Sequence, residues 1–173
     1  MAAKATAKSV FAHVIMGNIC SYTEDTWKSD ISLAQNASIN AFVLNITPPL
    51  SDDCLQTQMT TNDLGTGFKL FFSFDYLGNN VPWAAADVVS VLTTHGSNAA
   101  YFKSGSDNYP PVSTFEGTKN IGDWDSIRSQ VGGIFFVPDW TSLGPDRLRR
   151  RRITGWPATS LLIRSSMYIL ATP

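Results

Sequence analysis

Short runs of continuously apolar residues alternate along the chain with stretches whose apolar positions recur every three or four residues. Residues 10–16 form the first run, with Gly17 and Asn18 behind it, and predict a buried strand closed by a turn. Ser21, Tyr22, Thr23 and Glu24 then offer a capping-box pattern. Trp27, Ile31 and Ala34 follow at i, i+4 and i+7 on one face, which predicts a helix. A second strand is expected over residues 41–46, stopped by Thr47-Pro48-Pro49. A second helix should open at Asp52 and Asp53, where the macrodipole favours negative charge, and end at Gly65 or Gly67. Residues 68–75 make the clearest strand, almost wholly apolar until Asp75. Pro82 suits the first turn of a third helix, with Ala85, Val88, Val89 and Leu92 along one side. A fourth strand over 111–115 finishes in Glu116-Gly117. A short helix over 123–131 with Trp124, Ile127 and Val131 on one stripe, and a fifth strand over 134–140, complete the series.

Strands that are apolar throughout, each followed by an amphipathic helix, imply a parallel sheet covered by helices, so the class is α/β. Two architectures fit. One is a doubly wound five-stranded sheet; the other is an incomplete (β/α)8 barrel, which typically takes about 250 residues. Periodicity does not choose between them. Neither G-x-G-x-x-G nor G-x-x-x-x-G-K-[ST] follows the first strand, which removes the commonest reason for a doubly wound sheet to bind a nucleotide.

With 173 residues, 43% of them hydrophobic and 16% charged, the chain has material for one core and too little charge for a disordered segment throughout. No apolar stretch approaches the roughly 20 residues that cross a bilayer, and no basic-then-apolar leader opens the chain. Neither a membrane span nor a signal peptide is therefore expected. The net charge of -1 hides an asymmetry: all 14 acidic residues lie at or before Asp146, and the residues after it carry six arginines and no acid. Four of these arginines are consecutive, Arg149 to Arg152. Without interleaved aromatics such a run reads as solvated charge, so no nucleic-acid partner is expected. Cys20 and Cys54 have no metal-ligand spacing, and no metal or other cofactor is expected. Two N-x-[ST] sequons begin at Asn36 and Asn45, the second at the end of an apolar run.

In a parallel α/β fold the C-terminal ends of the strands form the ligand face, and here they carry Asn18, Asn45, Asp75, Glu116 and Asp139. Carboxylates at such a position serve glycosidic cleavage, which needs two acidic groups across the bond and aromatic faces for the sugar ring. Trp140, Tyr76 and Trp83 are near enough in sequence to supply those faces. The ordinary alternative for each strand-end Asp or Asn is a helix cap or a turn. For His13, inside an apolar strand, the alternatives are a hydrogen-bonded core histidine and a ligand contact. His95, near a helix end, is expected as a surface partner of the helix C-terminus, and Trp27 and Trp124 as core.

Several strings in order carry a family resemblance: residues 10–13 with Gly17-Asn18, residues 21–23 with Trp27, and residues 41–46, 68–75, 112–117 and 135–146. Over about residues 8–146 the chain resembles glycoside hydrolase family 71, the fungal endo-1,3-α-glucanases or mutanases. The resemblance implies a (β/α)8 catalytic domain that hydrolyses α-1,3-glucan with inversion and without metal, in proteins that are mostly secreted or cell-wall bound. It implies Asp75 as the catalytic carboxylate of this chain, and Asn45, Glu116, Asp139 and Trp140 as strand-end positions lining the same cleft; His13, from its own place in the first strand, is the further substrate-binding candidate. The family's acidic pair is expected in a W-N-D-Y-G-E-like segment downstream, which these residues do not include.

Residues 1–146 are accordingly expected to be a partial (β/α)8 domain of about five βα units. Residues 147–173 are expected to be a basic tail of foreign composition, arising from an altered reading frame or splice boundary. Five strands cannot close a barrel of eight, which leaves the first and fifth with unpaired edges. Two functions follow: an endo-1,3-α-glucanase, or a non-catalytic remnant with carbohydrate affinity at most.

Overall fold

The computed structural model describes residues 9–49, 66–103 and 108–140. Its five strands are β1 (Phe11–Ile15), β2 (Ala41–Ile46), β3 (Lys69–Asp75), β4 (Pro111–Phe115) and β5 (Phe135–Asp139). All pair in parallel, and their order in the sheet is their order in the chain. A doubly wound sheet reverses its strand order at a switch point, and no such reversal occurs among the described strands. Three helices are described: α1 (Glu24–Asn36) between β1 and β2, α2 (Ala85–His95) between β3 and β4, and α3 (Asp123–Gln130) between β4 and β5. The helix expected from Asp52, together with Cys54, Asp146 and the arginine run, lies outside the described residues.

Side chains alternate between the two faces of each strand, and the parallel register carries that alternation across the sheet. One face presents Phe42, Phe72, Phe74 and Phe136 to the helical layer. Trp27 of α1 meets Phe42 at 6.2 Å, Trp83 meets Phe74 edge-on at 5.2 Å, and Trp124 of α3 stacks on Phe136 at 4.1 Å. Trp27 and Trp124 are core residues, as their helical spacing requires. The opposite face is apolar at its N-terminal end, where Phe11 of β1 reaches Phe71 of β3 at 5.1 Å over Ala41 and Val43 of β2. Toward the C-terminal end this face becomes polar.

Several local expectations are corrected. Thr23, not Ser21, caps α1: its hydroxyl accepts from the Thr26 N–H at 3.3 Å, so Glu24 is the first helical residue rather than the third. Pro82 is not helical, because α2 begins at Ala85. The extended stretch before it drives Trp83 into the core, where its indole N–H donates to the Ile46 carbonyl at 3.2 Å. Burying a large aromatic is worth roughly 1.5–3 kcal/mol, more than an extra helical turn returns. His95, in the last turn of α2, is partly buried, with its ring against Phe72 at 5.7 Å.

Between β3 and β4 the ladder is open below Ser73, since only Ser73 to Asp75 pair with β4. Tyr101 fills the gap. Its hydroxyl accepts from the Phe72 N–H at 3.3 Å and donates to the Pro111 carbonyl at 2.9 Å. A buried phenol thus satisfies two backbone groups that the missing ladder bonds would otherwise leave unpaired.

Candidate active site

The polar face is organised in rungs across the sheet. At the C-terminal edge Asp75 of β3 is in register with Phe115 of β4, which is in register with Asp139 of β5. One rung lower, two residues back along each strand, Ile15, Asn45, Ser73, Ser113 and Val137 follow one another from β1 to β5. A rung below that lie His13, Val43 and Phe71. Four of the candidate residues, His13, Asn45, Asp75 and Asp139, are therefore brought to one face although 126 positions separate the first from the last. Adjacent strands lie about 4.8 Å apart, so Asp75 and Asp139, two strands apart, stand roughly 9–10 Å from each other along the edge.

Asp75 is held by the turn that follows it. Its Oδ1 accepts from the backbone N–H groups of Leu77 and Gly78, both at 2.8 Å, which is the ordinary turn-forming role of a strand-end aspartate. Asn79 then ties the turn to β2, donating from Nδ2 to the Pro48 carbonyl at 2.9 Å and to Thr47 Oγ1 at 3.3 Å. The turn locks one carboxylate oxygen, and Oδ2 has no bond to a described residue. A structural role on one oxygen is compatible with a chemical role on the other.

His13 is buried, and loss of hydration brings its pKa from 6.5 to about 4, so the imidazole is neutral. Its Nε2 and the Ser73 hydroxyl are both buried without a hydrogen-bond partner among the described residues. Ser73 and Ser113, on the Asn45 rung, belong to the same polar face and were not singled out in the sequence. Their signal was present: each hydroxyl lies two residues before the strand end, on the same side of its strand as Asp75 or Phe115.

The remaining candidates lie elsewhere. Glu116 is buried past the end of β4 with φ +56, and its N–H donates to the Asp139 carbonyl at 2.7 Å. The three aromatics nominated as sugar platforms are all enclosed: Trp140 and Trp83 are 1% exposed and Tyr76 5%. Trp140 lies edge-on against Phe136, and Tyr76 against Trp124, where burial and nearby Asp123 push its phenol pKa up. Asn18 is exposed in the turn after β1. Cys20 is disulfide-bonded; the other cysteine of the sequence, Cys54, is outside the described residues. Among the described residues no three His, Cys, Asp or Glu side chains gather as metal ligands, and no helix is long and apolar enough to cross a membrane.

A helix-covered parallel sheet with carboxylate and amide side chains along the C-terminal edge of its strands defines an α/β protein of the kind that holds its ligand over those ends. A solved structure titled "Glycoside hydrolase-like protein" shares the fold, with a TM-score of 0.55 at 13% identity over 76% of this chain and 51% of that one. Residues 6–158 match Glycosyl hydrolase family 71, and the chain belongs to that family. The match runs past Asp146 into the arginine-rich segment. The chain is 32% identical over 179 residues to Glucan endo-1,3-alpha-glucosidase agn1 of Schizosaccharomyces pombe, a match spanning 88% of this chain and 40% of the relative. It is 28% identical over 138 residues to Mutanase Pc12g07500 of Penicillium rubens, spanning 76% of this chain and 29% of the relative.

Proposed function

We propose that the chain is part of an endo-1,3-α-glucanase: a segment of a (β/α)8 catalytic domain that binds α-1,3-glucan over its strand ends and presents Asp75 to the glycosidic bond. The observation that carries this reading is the shared face of Asn45, Asp75 and Asp139 at the C-terminal edge, in a member of family 71. A consecutive parallel order is also what a barrel requires of its first five strands. In this reading Asp75 is the catalytic carboxylate. Asn45 and Asp139 bind sugar hydroxyls, His13 contributes a neutral imidazole beneath them, and Glu116 and Trp140 support the loop after each strand.

Inverting hydrolysis places its two carboxyl groups about 6.5–9.5 Å apart. The register favours a second reading in which Asp139 partners Asp75, because a spacing of two strands is close to that range. Otherwise the second carboxyl comes from strands beyond these five, and the chain by itself binds glucan without cleaving it.

Incubation of the purified chain with insoluble α-1,3-glucan, reading reducing sugar and pull-down together, tests the proposal. Turnover lost in Asp75→Asn supports the enzyme, and loss in Asp139→Asn as well supports the pair. Binding without turnover leaves the glucan-binding segment, and neither binding nor turnover overturns the proposal. Sequencing the transcript across the codon for Asp146 tests whether residues 147–173 arise from an altered frame; an intact in-frame message overturns that origin.

A further inference from the structure

The rung between the two edge carboxylates is occupied by an aromatic ring outside the candidate site residues of the sequence. Phe115 is in register with Asp75 on one side and Asp139 on the other, and it is 41% exposed. Among the described residues it makes no ring contact, whereas the aromatics nearest to it in the sequence and along the sheet, Tyr76, Trp124, Phe136 and Trp140, all pack into one another. An open aromatic ring between two carboxylates at the strand ends has the make-up of a ligand site, an apolar face with a few polar groups around it.

The backbone under this ring is clamped from both sides. The Tyr76 N–H donates to the Phe115 carbonyl at 3.0 Å, and the next residue's N–H donates to Asp139. The chain then turns sharply through two left-handed residues, Glu116 at φ +56 and Gly117 at φ +89. A Cβ at Gly117 would stand 2.7 Å from the Tyr76 ring, so the glycine lets Tyr76 press against the turn and hold it. A left-handed non-glycine residue is strained, a conformation tolerated where the surroundings enforce it and found most often at functional sites. Phe115 is thus presented to solvent from a backbone that has little freedom left to lose on binding.

We propose that Phe115 is the platform on which one pyranose ring of the glucan stacks, a positioning residue that sets the sugar between Asp75 and Asp139; this rests on the glucan reading above. The face of an aromatic ring is electron-rich, and the axial C–H groups of a pyranose present a complementary, weakly positive apolar surface. Stacking leaves the equatorial hydroxyls directed sideways, toward the neighbouring strands where Asp75 and Asp139 stand. Specificity then comes from the polar partners and orientation from the ring.

Binding of a soluble α-1,3-linked gluco-oligosaccharide to the purified chain tests this, with thermal unfolding confirming that each variant is folded. Phe115→Ala is expected to weaken binding about tenfold. Phe115→Tyr should stay within about threefold of the original, and Phe115→Leu should be as weak as alanine because area without a π face does not suffice. In the unaltered chain the sugar ring protons should shift upfield on binding, as protons over an aromatic face do, and this readout holds even if a variant fails to fold. Unchanged affinity in Phe115→Ala, full rescue by leucine, or oligosaccharide bound without the upfield shift overturns the platform and leaves the glucan reading standing. Absence of any binding by the unaltered chain overturns both.

Discussion

Asp75 and Gly78 are joined by a 2.8 Å hydrogen bond from the glycine N–H to the carboxylate, and the absence of a side chain at Gly78 is what permits it. A Cβ there would collide with the Thr47 side chain and stand 3.2 Å from the Asp75 carboxyl carbon. Gly78→Ala should therefore push the turn off β2, costing roughly 1–3 kcal/mol of stability. It should also displace the carboxylate and reduce glucan binding or turnover. Thermal unfolding and the glucan assay read the two effects, and a variant as stable and active as the original refutes the coupling.

The same bond separates the structural from the chemical part of Asp75. Asparagine retains an oxygen for the Leu77 and Gly78 N–H groups, so Asp75→Asn should change stability by less than about 1 kcal/mol. Asp75→Ala strands both donors and should cost about 1–2 kcal/mol. Any glucanase activity should vanish equally in both. Equal stability of the two variants in chemical denaturation contradicts the assignment of the turn to this side chain.

Tyr101 substitutes for ladder bonds between β3 and β4. Tyr101→Phe keeps the ring and its packing on Phe72 but leaves a buried N–H and a buried carbonyl short of a partner, at a cost of about 1–3 kcal/mol. Hydrogen exchange at the Phe72 amide should accelerate in the variant. Unaltered exchange and stability would mean that the hydroxyl is dispensable.

Acid should loosen the fold through His13. Its folded pKa of about 4 lies below its ordinary 6.5, so the unfolded chain takes up the proton first. Stability is complete above about pH 6.5 and falls as pH drops from there toward about 4, with a loss of roughly 3 kcal/mol at the lower end. His95, whose pKa is also lowered by burial, adds to the slope in the same direction. Urea unfolding at about pH 7.5 and pH 4.5 should give a smaller difference for His13→Gln than for the original chain. Equal differences would exclude His13 as the group responsible.

Much of the fold is legible from local pattern. Every described strand falls within a segment expected from the sequence, and α1 and α3 carry their tryptophans and isoleucines on the buried side. Misreadings occur where long-range packing overrides a local preference. Pro82 would suit a helix start, but the burial of Trp83 beside Ile46 keeps the segment extended. Trp140 and Tyr76 have the chemistry of sugar platforms, and the helical layer encloses both. At the end of β4 the eye goes to the carboxylate, Glu116, whereas the outermost inward-facing position is Phe115; a shift of one residue along a strand moves a side chain to the other face.

Which segments become strands and which side of each helix is buried follow from hydrophobic periodicity, a property of neighbouring residues, and the sequence alone determines both. It also determines that acids and amides stand at the strand ends. Which of these share a level is decided by hydrogen bonds between strands whose paired residues lie 24 to 40 positions apart in the chain. The register of β3, β4 and β5 puts Phe115 between Asp75 and Asp139. No local pattern contains that relation, because it exists only once separate strands are aligned.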